Sequence, residues 1–144
     1  MPEKLKKVYI GGVWDLYHTG HLNILQKAKA LGDYLIVGVL TDDATERYKP
    51  RAIIREYDRL RIIRSIKHVD LAVLQSDTNP TKNGQLQYFN PDILVHADDW
   101  DEVPGQEWML EHDKEVIFLP YTKSISTTEI RRLCEVNSGA KGQT

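Results

Sequence analysis

Two histidines three residues apart, His18 and His21, lie in the stretch GVWDLYHTGHLNIL, where a hydrophobic run stops and a helical pattern begins. A helix starting near Thr19 puts His18 just ahead of it and His21 in its first turn, on a similar side. That first turn leaves backbone N–H groups without intrahelical partners, and the helix dipole adds positive character there. Imidazoles beside such groups make a compact site for an anion, above all a phosphate. Gly11 and Gly12 lack a Cβ, so a phosphate could approach their backbone closely. Thr19 and Gly20 add a hydroxyl and a second point of close approach. A lone histidine here would more simply cap the helix or face solvent; the pair, behind two glycines, points to phosphate handling. Zinc is a poorer account of the pair, because the spacing is not that of the metalloprotease helix and no cysteine cluster completes a site.

The far end of the chain carries a second stretch of this kind. In SISTTEI, the residues Ser126, Thr127, Thr128 and Glu129 read as a capping box opening a final helix. Its hydroxyls and free N–H groups would form another phosphate-binding helix start, with Lys123 and Arg131 or Arg132 close by in sequence. Two helix amino ends aimed at one crevice would suit the charge train of a nucleoside triphosphate.

Those residues need a scaffold, and the pattern between them supplies one. The short apolar, β-branched runs KVYIGG, DYLIVGVL, DLAVLQ, DILVHA and EVIFLP are nearly continuous in their interiors, as strands covered on both faces are. Between them Leu22, Leu25, Ala28 and Leu31 repeat at helical spacing up to Gly32, a C-cap candidate. Leu60, Ile63 and Ile66 form a stripe from Tyr57 to His68 against an arginine-rich face. TKNGQLQYF and GQEWMLEHD are shorter helix candidates, and the last helix opens at STTEIRRL. Strands alternating with helices imply an α/β fold, a doubly wound, five-stranded parallel Rossmann-like sheet with helices on both faces. Such sheets bind ligands beyond the carboxyl ends of their strands, where strand order reverses. IGGVWDLYHTGH is a turn of that kind. The polar NSGAKGQT end is expected to be disordered, which gives one domain over 1–136 and a tail over 137–144.

Bulk properties narrow the partners. The chain has 144 residues, 41% hydrophobic and 28% charged, with a formal net charge of −2. That size suits one domain with a sizeable core, and that charge offers no field to gather nucleic acid or an anionic membrane. A polyanionic ligand must therefore meet a local cluster of donors. The single cysteine, Cys134, rules out an intramolecular disulfide and is compatible with a reducing compartment. The basic start MPEKLKKVYIGG has no apolar core behind it, so no signal peptide is expected. No apolar run approaches the roughly 18 residues of a membrane span. A cytoplasmic protein is the expectation.

The stretch GVWDLYHTGHLNILQKAKALGDYLIVGVLTDD, together with ISTTEIRR, resembles the cytidylyltransferase-like nucleotidyltransferases, which carry an H-x-G-H signature and a distal I-S-T-T segment. The likeness runs from about Lys7 to Leu133, in the family's order. HADDWDE, His96 to Glu102, resembles the nucleotide-binding strand end of the short bacterial glycerol-3-phosphate cytidylyltransferases. The resemblance implies a direct attack by a substrate phosphate on the α-phosphorus of a nucleoside triphosphate, with pyrophosphate leaving and no covalent enzyme intermediate. It favours CTP, with Mg²⁺ accompanying it, and a small phosphorylated alcohol: glycerol 3-phosphate, ethanolamine phosphate or a related polyol phosphate. ATP-dependent adenylyl transfer to FMN or a sugar phosphate is the alternative within the fold, and a non-catalytic nucleotide-binding module the alternative outside it. At this length no second catalytic domain, such as a fused kinase, is expected.

Carried over residue by residue, the resemblance makes His18 and His21 donors to the phosphates. Lys49 in RYKPR becomes the loop lysine that reaches the α-phosphate, with Arg47 and Arg51 as alternatives. Gly11, Gly12, Val13, Trp14, Thr19 and Gly20 would line the nucleotide, joined by Ile125, Ser126, Thr127 and Thr128. Arg59 matches the arginine of the family's E-x-R segment and by that resemblance would bind the nucleotide. Asp15 stands in the family's F-D-L position, Trp14 replacing the Phe, and reads as a turn-stabilising acceptor rather than a metal ligand; Asp42 has a similar reading. Asp98, Asp99 and Trp100 would line the base or ribose pocket. One departure bears on substrate choice. The family's R-T-E-G-I-S-T reads YTKSIST here, so Tyr121 replaces the arginine, Lys123 replaces the acid, and a lysine lacks arginine's bidentate fork. Relatives of this kind are often homodimers, for which Trp108 and Tyr88 are candidate contacts.

Overall fold

In the computed structural model, which describes residues 4–97, 103–120 and 125–141, the strand expectations hold closely. Strands β1 (Lys7–Gly12), β2 (Tyr34–Leu40), β3 (Leu71–Gln75), β4 (Ile93–Ala97) and β5 (Glu115–Leu119) form one sheet in the order β3-β2-β1-β4-β5. Every pairing is parallel, with Ile10 opposite Val37 on one side and Val95 on the other. The chain winds outward from β1 through β2 to β3, then returns to place β4 on the other side of β1. Strand order therefore reverses between β1 and β4.

The helices are α1 (Thr19–Ala30), α2 (Asp42–Glu46), α3 (Glu56–Arg64), α4 (Gln85–Phe89), α5 (Gln106–Glu111) and α6 (Thr127–Lys141). Alternate side chains of each strand point to opposite faces. On one face Val8, Ile10, Leu35, Val37, Ile93 and Val95 pack with Ile24, Leu25 and Ala28 of α1 and with Leu60 and Ile63 of α3. On the other, Tyr9, Ile36 and Leu94 pack with Leu86 of α4 and Met109 of α5. Burial on both faces is why the strands read as near-continuous apolar runs.

Several helix boundaries differ from the pattern for local reasons. α3 stops at Arg64, and Ile66 and Val69 reach the core through separate turns, in which the Ile66 N–H donates to the Ile63 carbonyl (3.1 Å) and the Val69 N–H to the Ile66 carbonyl (3.0 Å). α4 begins only after Gly84, which is left-handed at φ 78°. Gly32 is not a left-handed cap: α1 ends on Leu31, and a Cβ at Gly32 would stand 2.7 Å from the Lys6 carbonyl. α2 was invisible to periodicity because it is one turn long, although Thr41, accepting the Ala44 N–H at 3.1 Å, and Asp42 and Asp43 carry a helix-start signal.

Residues 137–141 of the expected tail are helical: α6 continues to Lys141, where composition pointed to disorder. Once a helix is nucleated each further residue adds a hydrogen bond, so a small polar segment can extend it. No helix among the described residues is long and apolar enough to cross a membrane. Trp108 packs on the Tyr9 side of the core, whereas Tyr88 is exposed.

Candidate active site

The carboxyl end of β1 leads into a tight turn and then into α1, beside the point where strand order reverses. His18 is the N-cap of α1 and His21 its third residue, and the two complete a reciprocal capping box. The Gly20 N–H donates to Nδ1 of His18 at 3.0 Å, and the His18 N–H donates to Nδ1 of His21 at 3.2 Å. An imidazole nitrogen that accepts carries no proton, so each ring keeps its proton on Nε2. Each histidine thus has one N–H donor, on Nε2, that the cap does not use. Their rings stack with centroids 3.9 Å apart, and Tyr17 stacks on the far side of His21 at 5.5 Å.

Burial favours the neutral form of both. It lowers the His18 pKa below the ordinary imidazole value. His21 is pushed down to about 3 by burial first, then by His18 and Lys49, against an opposing pull from Asp15. Neutral donors suit a ligand that brings its own negative charge.

The glycines act differently from one another. A Cβ at Gly20 would lie 2.7 Å from Cε1 of His18, so this glycine makes room for the capping ring. Gly11 and Gly12 were expected to admit a phosphate. A Cβ at Gly11 would meet the Gln75 amide oxygen at 2.6 Å, and one at Gly12 the Trp14 indole at 2.9 Å, so each also makes room for a protein side chain. Gly11 itself is exposed. Trp14 is buried and donates from Nε1 to the Gly38 carbonyl at 3.0 Å.

The amino end of α6 meets this turn, as two converging helix starts require. Thr127 Oγ1 donates to the Asp15 carbonyl at 2.9 Å and stands 3.4 Å from Nε2 of His18. Ser126 caps α6, its Oγ accepting the Glu129 N–H at 3.0 Å. The Glu129 carboxylate turns to Arg132 at 2.6 Å rather than back to the cap, so only half of the capping box forms. Ile125 packs toward Gly20, and Thr128 and Thr19 are exposed at the two helix starts. Arg131, not Arg132, faces the site: its Nη2 bonds Asp15 Oδ2 at 2.9 Å and the Arg51 carbonyl at 3.0 Å.

Lys49 lies in the loop after α2, with its Nζ 5.3 Å from the Tyr48 ring centroid. Its surroundings lower its pKa, burial first and the Arg131 charge next, while Asp15 opposes them. Lys49, Arg131, Asp15 and His21 thus share one electrostatic neighbourhood. Asp15 is the acceptor its sequence position suggested, taking the N–H groups of Ile53 at 2.8 Å and Ile54 at 2.9 Å.

Arg59 requires correction. Its side chain is fully buried, and it does not face the site. Nη1 donates to the carbonyls of Val13 (2.8 Å) and Leu40 (2.7 Å), Nε to that of Ile54 (2.8 Å), and Nη2 to Asp42 Oδ1 (2.7 Å). It ties together the ends of β1 and β2 and the start of α3, and Val13 takes part through its carbonyl. Asp98, Asp99, Trp100, Tyr121 and Lys123 lie outside the described residues.

The arrangement offers two Nε2–H donors, a helix amino end and two basic side chains at the switch point of a parallel sheet, a site for phosphate groups. Known proteins match it. The cytidylyltransferase-like family model covers residues 9–133. The chain is 35% identical over 127 residues to glycerol-3-phosphate cytidylyltransferase of Bacillus subtilis, spanning 88% of this chain and 95% of that one. It is 39% identical over 132 residues to the bifunctional protein HldE of Helicobacter pylori, covering 89% of this chain but 27% of that protein. The crystal structure of a lipopolysaccharide core biosynthesis protein from Thermoplasma volcanium is similar at a TM-score of 0.70 and 29% identity, over 83% of this chain and 98% of that one. The chain belongs to the cytidylyltransferase-like family of nucleotidyltransferases.

Proposed function

We propose that the protein transfers CMP from CTP to a small phosphorylated alcohol, glycerol 3-phosphate or a close analogue, releasing pyrophosphate. The observation that carries this reading is the reciprocal histidine cap, which holds two neutral Nε2–H donors side by side at the amino end of α1. The similarity to a glycerol-3-phosphate cytidylyltransferase over nearly the whole length of both chains supports the nucleotide and the acceptor class.

In this reading an oxygen of the acceptor phosphate forms a bond to the α-phosphorus as the bond from that phosphorus to the bridging α–β oxygen breaks. The acceptor is already ionised at neutral pH, so no general base is needed. His18 and His21 donate to phosphate oxygens whose charge rises in the transition state, help commonly worth about 3–4 kcal/mol per donor. Lys49 supplies a point charge from its loop, and the N–H groups at the start of α6 receive further phosphate oxygens.

Among the described residues no group of three or more His, Cys, Asp or Glu side chains converges on a metal position, and Asp15 is committed to backbone amides and Arg131. The donor set fits Mg²⁺ carried by the triphosphate, where it would neutralise charge on the leaving pyrophosphate.

A second reading keeps the chemistry and changes the partners: transfer to a sugar phosphate, with ATP as nucleotide. The structural likeness to a lipopolysaccharide core biosynthesis protein favours considering a sugar phosphate acceptor, as does Tyr121 in place of the family's arginine. A pyrophosphate-release assay with Mg²⁺ separates the readings by crossing CTP and ATP with glycerol 3-phosphate, ethanolamine phosphate, choline phosphate, sugar phosphates and FMN. Release with CTP and glycerol 3-phosphate supports the first; faster release with ATP and a sugar phosphate replaces it with the second.

A further inference from the structure

The turn between β1 and α1 contains a junction that phosphate binding alone leaves unused. Asp15 is 3% exposed. Its Oδ2 accepts the Ile53 N–H (2.8 Å) and Arg131 Nη2 (2.9 Å), and its Oδ1 accepts the N–H groups of Ile54 (2.9 Å) and Leu16 (3.1 Å). Its main-chain carbonyl accepts Thr127 Oγ1 at 2.9 Å. Three segments distant in sequence therefore meet on one residue: the turn that presents the histidines, the loop that carries Lys49, and the first turns of α6.

The loop is held at two places. At its base the starts of α2 and α3 exchange carboxylates, the Asp42 N–H donating to Glu56 at 2.9 Å and the Glu56 N–H to Asp42 at 3.4 Å. Beyond Lys49, Asp15 holds Ile53 and Ile54 while Arg131 holds the Arg51 carbonyl. Release of the second tie would leave the span held by the helix starts, by the Lys49 N–H on the Thr45 carbonyl (3.1 Å) and by Arg59 on the Ile54 carbonyl (2.8 Å), with nothing tying it to the histidine turn through Asp15. The turn itself is unusual. Trp14 at φ 60° and Leu16 at φ 48°, on either side of Asp15, both occupy the left-handed region that large side chains rarely adopt. Backbone of this kind persists where its surroundings over-determine it, and it concentrates at functional sites.

We propose that Asp15 is a positioning residue for the transfer reaction: through Ile53, Ile54 and Arg131 it fixes the reach of Lys49 and the amino end of α6 relative to His18 and His21. This deepens the nucleotidyltransferase reading and rests on it. Asp15 has no oxygen to spare for substrate and acts through the groups it holds. A long lysine stem delivers its charge where its backbone is placed, and a misplacement of about 1 Å at a reacting centre can cost about a hundredfold in rate.

The test is a double-mutant cycle between Asp15→Asn and Lys49→Ala, read as kcat for pyrophosphate release with CTP, glycerol 3-phosphate and Mg²⁺. Acting through Lys49, Asp15→Asn lowers kcat by about tenfold or more in the parent protein. It lowers kcat by a clearly smaller factor when Lys49 is already Ala, the remainder being the loss through α6. The same fold loss in both backgrounds overturns the proposal. Amide hydrogen exchange gives a second readout that needs no substrate. In Asp15→Asn the Ile53 and Ile54 amides lose about tenfold or more of their protection while β1 and β2 keep theirs; unchanged protection at Ile53 and Ile54 overturns the proposal. Should Asp15→Asn fail to fold, Arg131→Gln cuts the α6 limb of the same network from the surface. Its kcat loss is then non-additive with that of Lys49→Ala, and an additive loss overturns the proposal. If the parent protein releases no pyrophosphate with any nucleotide and acceptor, the transferase reading fails by itself, and exchange at Ile53 and Ile54 still decides whether Asp15 holds the loop.

Discussion

The backbone N–H of His18 donates to Nδ1 of His21 at 3.2 Å, so the second histidine fixes the first while its own proton is fixed on Nε2. The same bonds complete a helix start and select a tautomer. In the proposed reaction, catalysis and local folding are coupled in these two side chains.

Alanine at His18 or His21 should lower kcat by roughly 100- to 1,000-fold, the range for loss of one oxyanion-stabilising donor. CTP affinity, followed by calorimetry, should change far less. Each substitution also removes part of a cap and should cost about 1 kcal/mol of stability in urea unfolding. Equal losses in turnover and affinity would favour a nucleotide-binding module over an enzyme.

Stability should fall on acidification, with a sign set by the histidines. The folded pKa of His21 lies at about 3, below the imidazole value of 6.5, so the folded state resists protonation. Its contribution is therefore complete above the unfolded value and is lost as pH falls from 6.5 toward 3; His18 shifts in the same direction. By linkage His21 alone accounts for a loss of about 2 kcal/mol between pH 7 and pH 5. Urea midpoints at the two pH values measure it. His21→Asn should flatten that part of the profile, and an unchanged slope would refute the assignment.

Arg59→Leu should destabilise the protein by about 3 kcal/mol or more, because it removes the 2.7 Å ion pair of the partly buried Asp42 carboxylate, whose other ion pair, with Arg55, is at 3.4 Å. It also deprives the carbonyls of Val13, Leu40 and Ile54 of a donor. Chemical denaturation gives the cost. Were Arg59 a phosphate ligand instead, the variant would keep its stability and lose CTP affinity.

Gly20→Ala sets helix propensity against the site. Alanine is favoured over glycine in a helix by about 1 kcal/mol, yet here its Cβ would fall 2.7 Å from the His18 ring. Displacement of that ring should lower kcat by about tenfold or more. Turnover near that of the parent protein would show that the ring can move without consequence.

Strands and chemistry-bearing motifs were legible in the residue order because their signals are local. KVYIGG and DYLIVGVL are apolar throughout since both faces of the sheet are covered, and H-T-G-H needs only one helix start to place its rings. Arg59 was misread because the family resemblance, not its surroundings, gave it a place at the nucleotide. Nothing nearby in sequence announces that its partners are carbonyls at Val13 and Leu40, 46 and 19 residues away. Gly11 and Gly12 carry a related lesson. A missing Cβ signals a close approach, but that the Gln75 and Trp14 side chains make one here depends on neighbouring structure.

By itself, then, the sequence determined the sheet, the histidine signature and the phosphate character of the site, which periodicity, residue chemistry and helix-end physics encode over a few consecutive positions. Only tertiary structure decided that Asp15 joins Ile53, Ile54 and Arg131, that Arg131 rather than Arg132 turns inward, and that Arg59 is an internal tie. Those roles depend on which buried donors and acceptors meet once distant segments pack together, because burial makes nearly all such groups find partners.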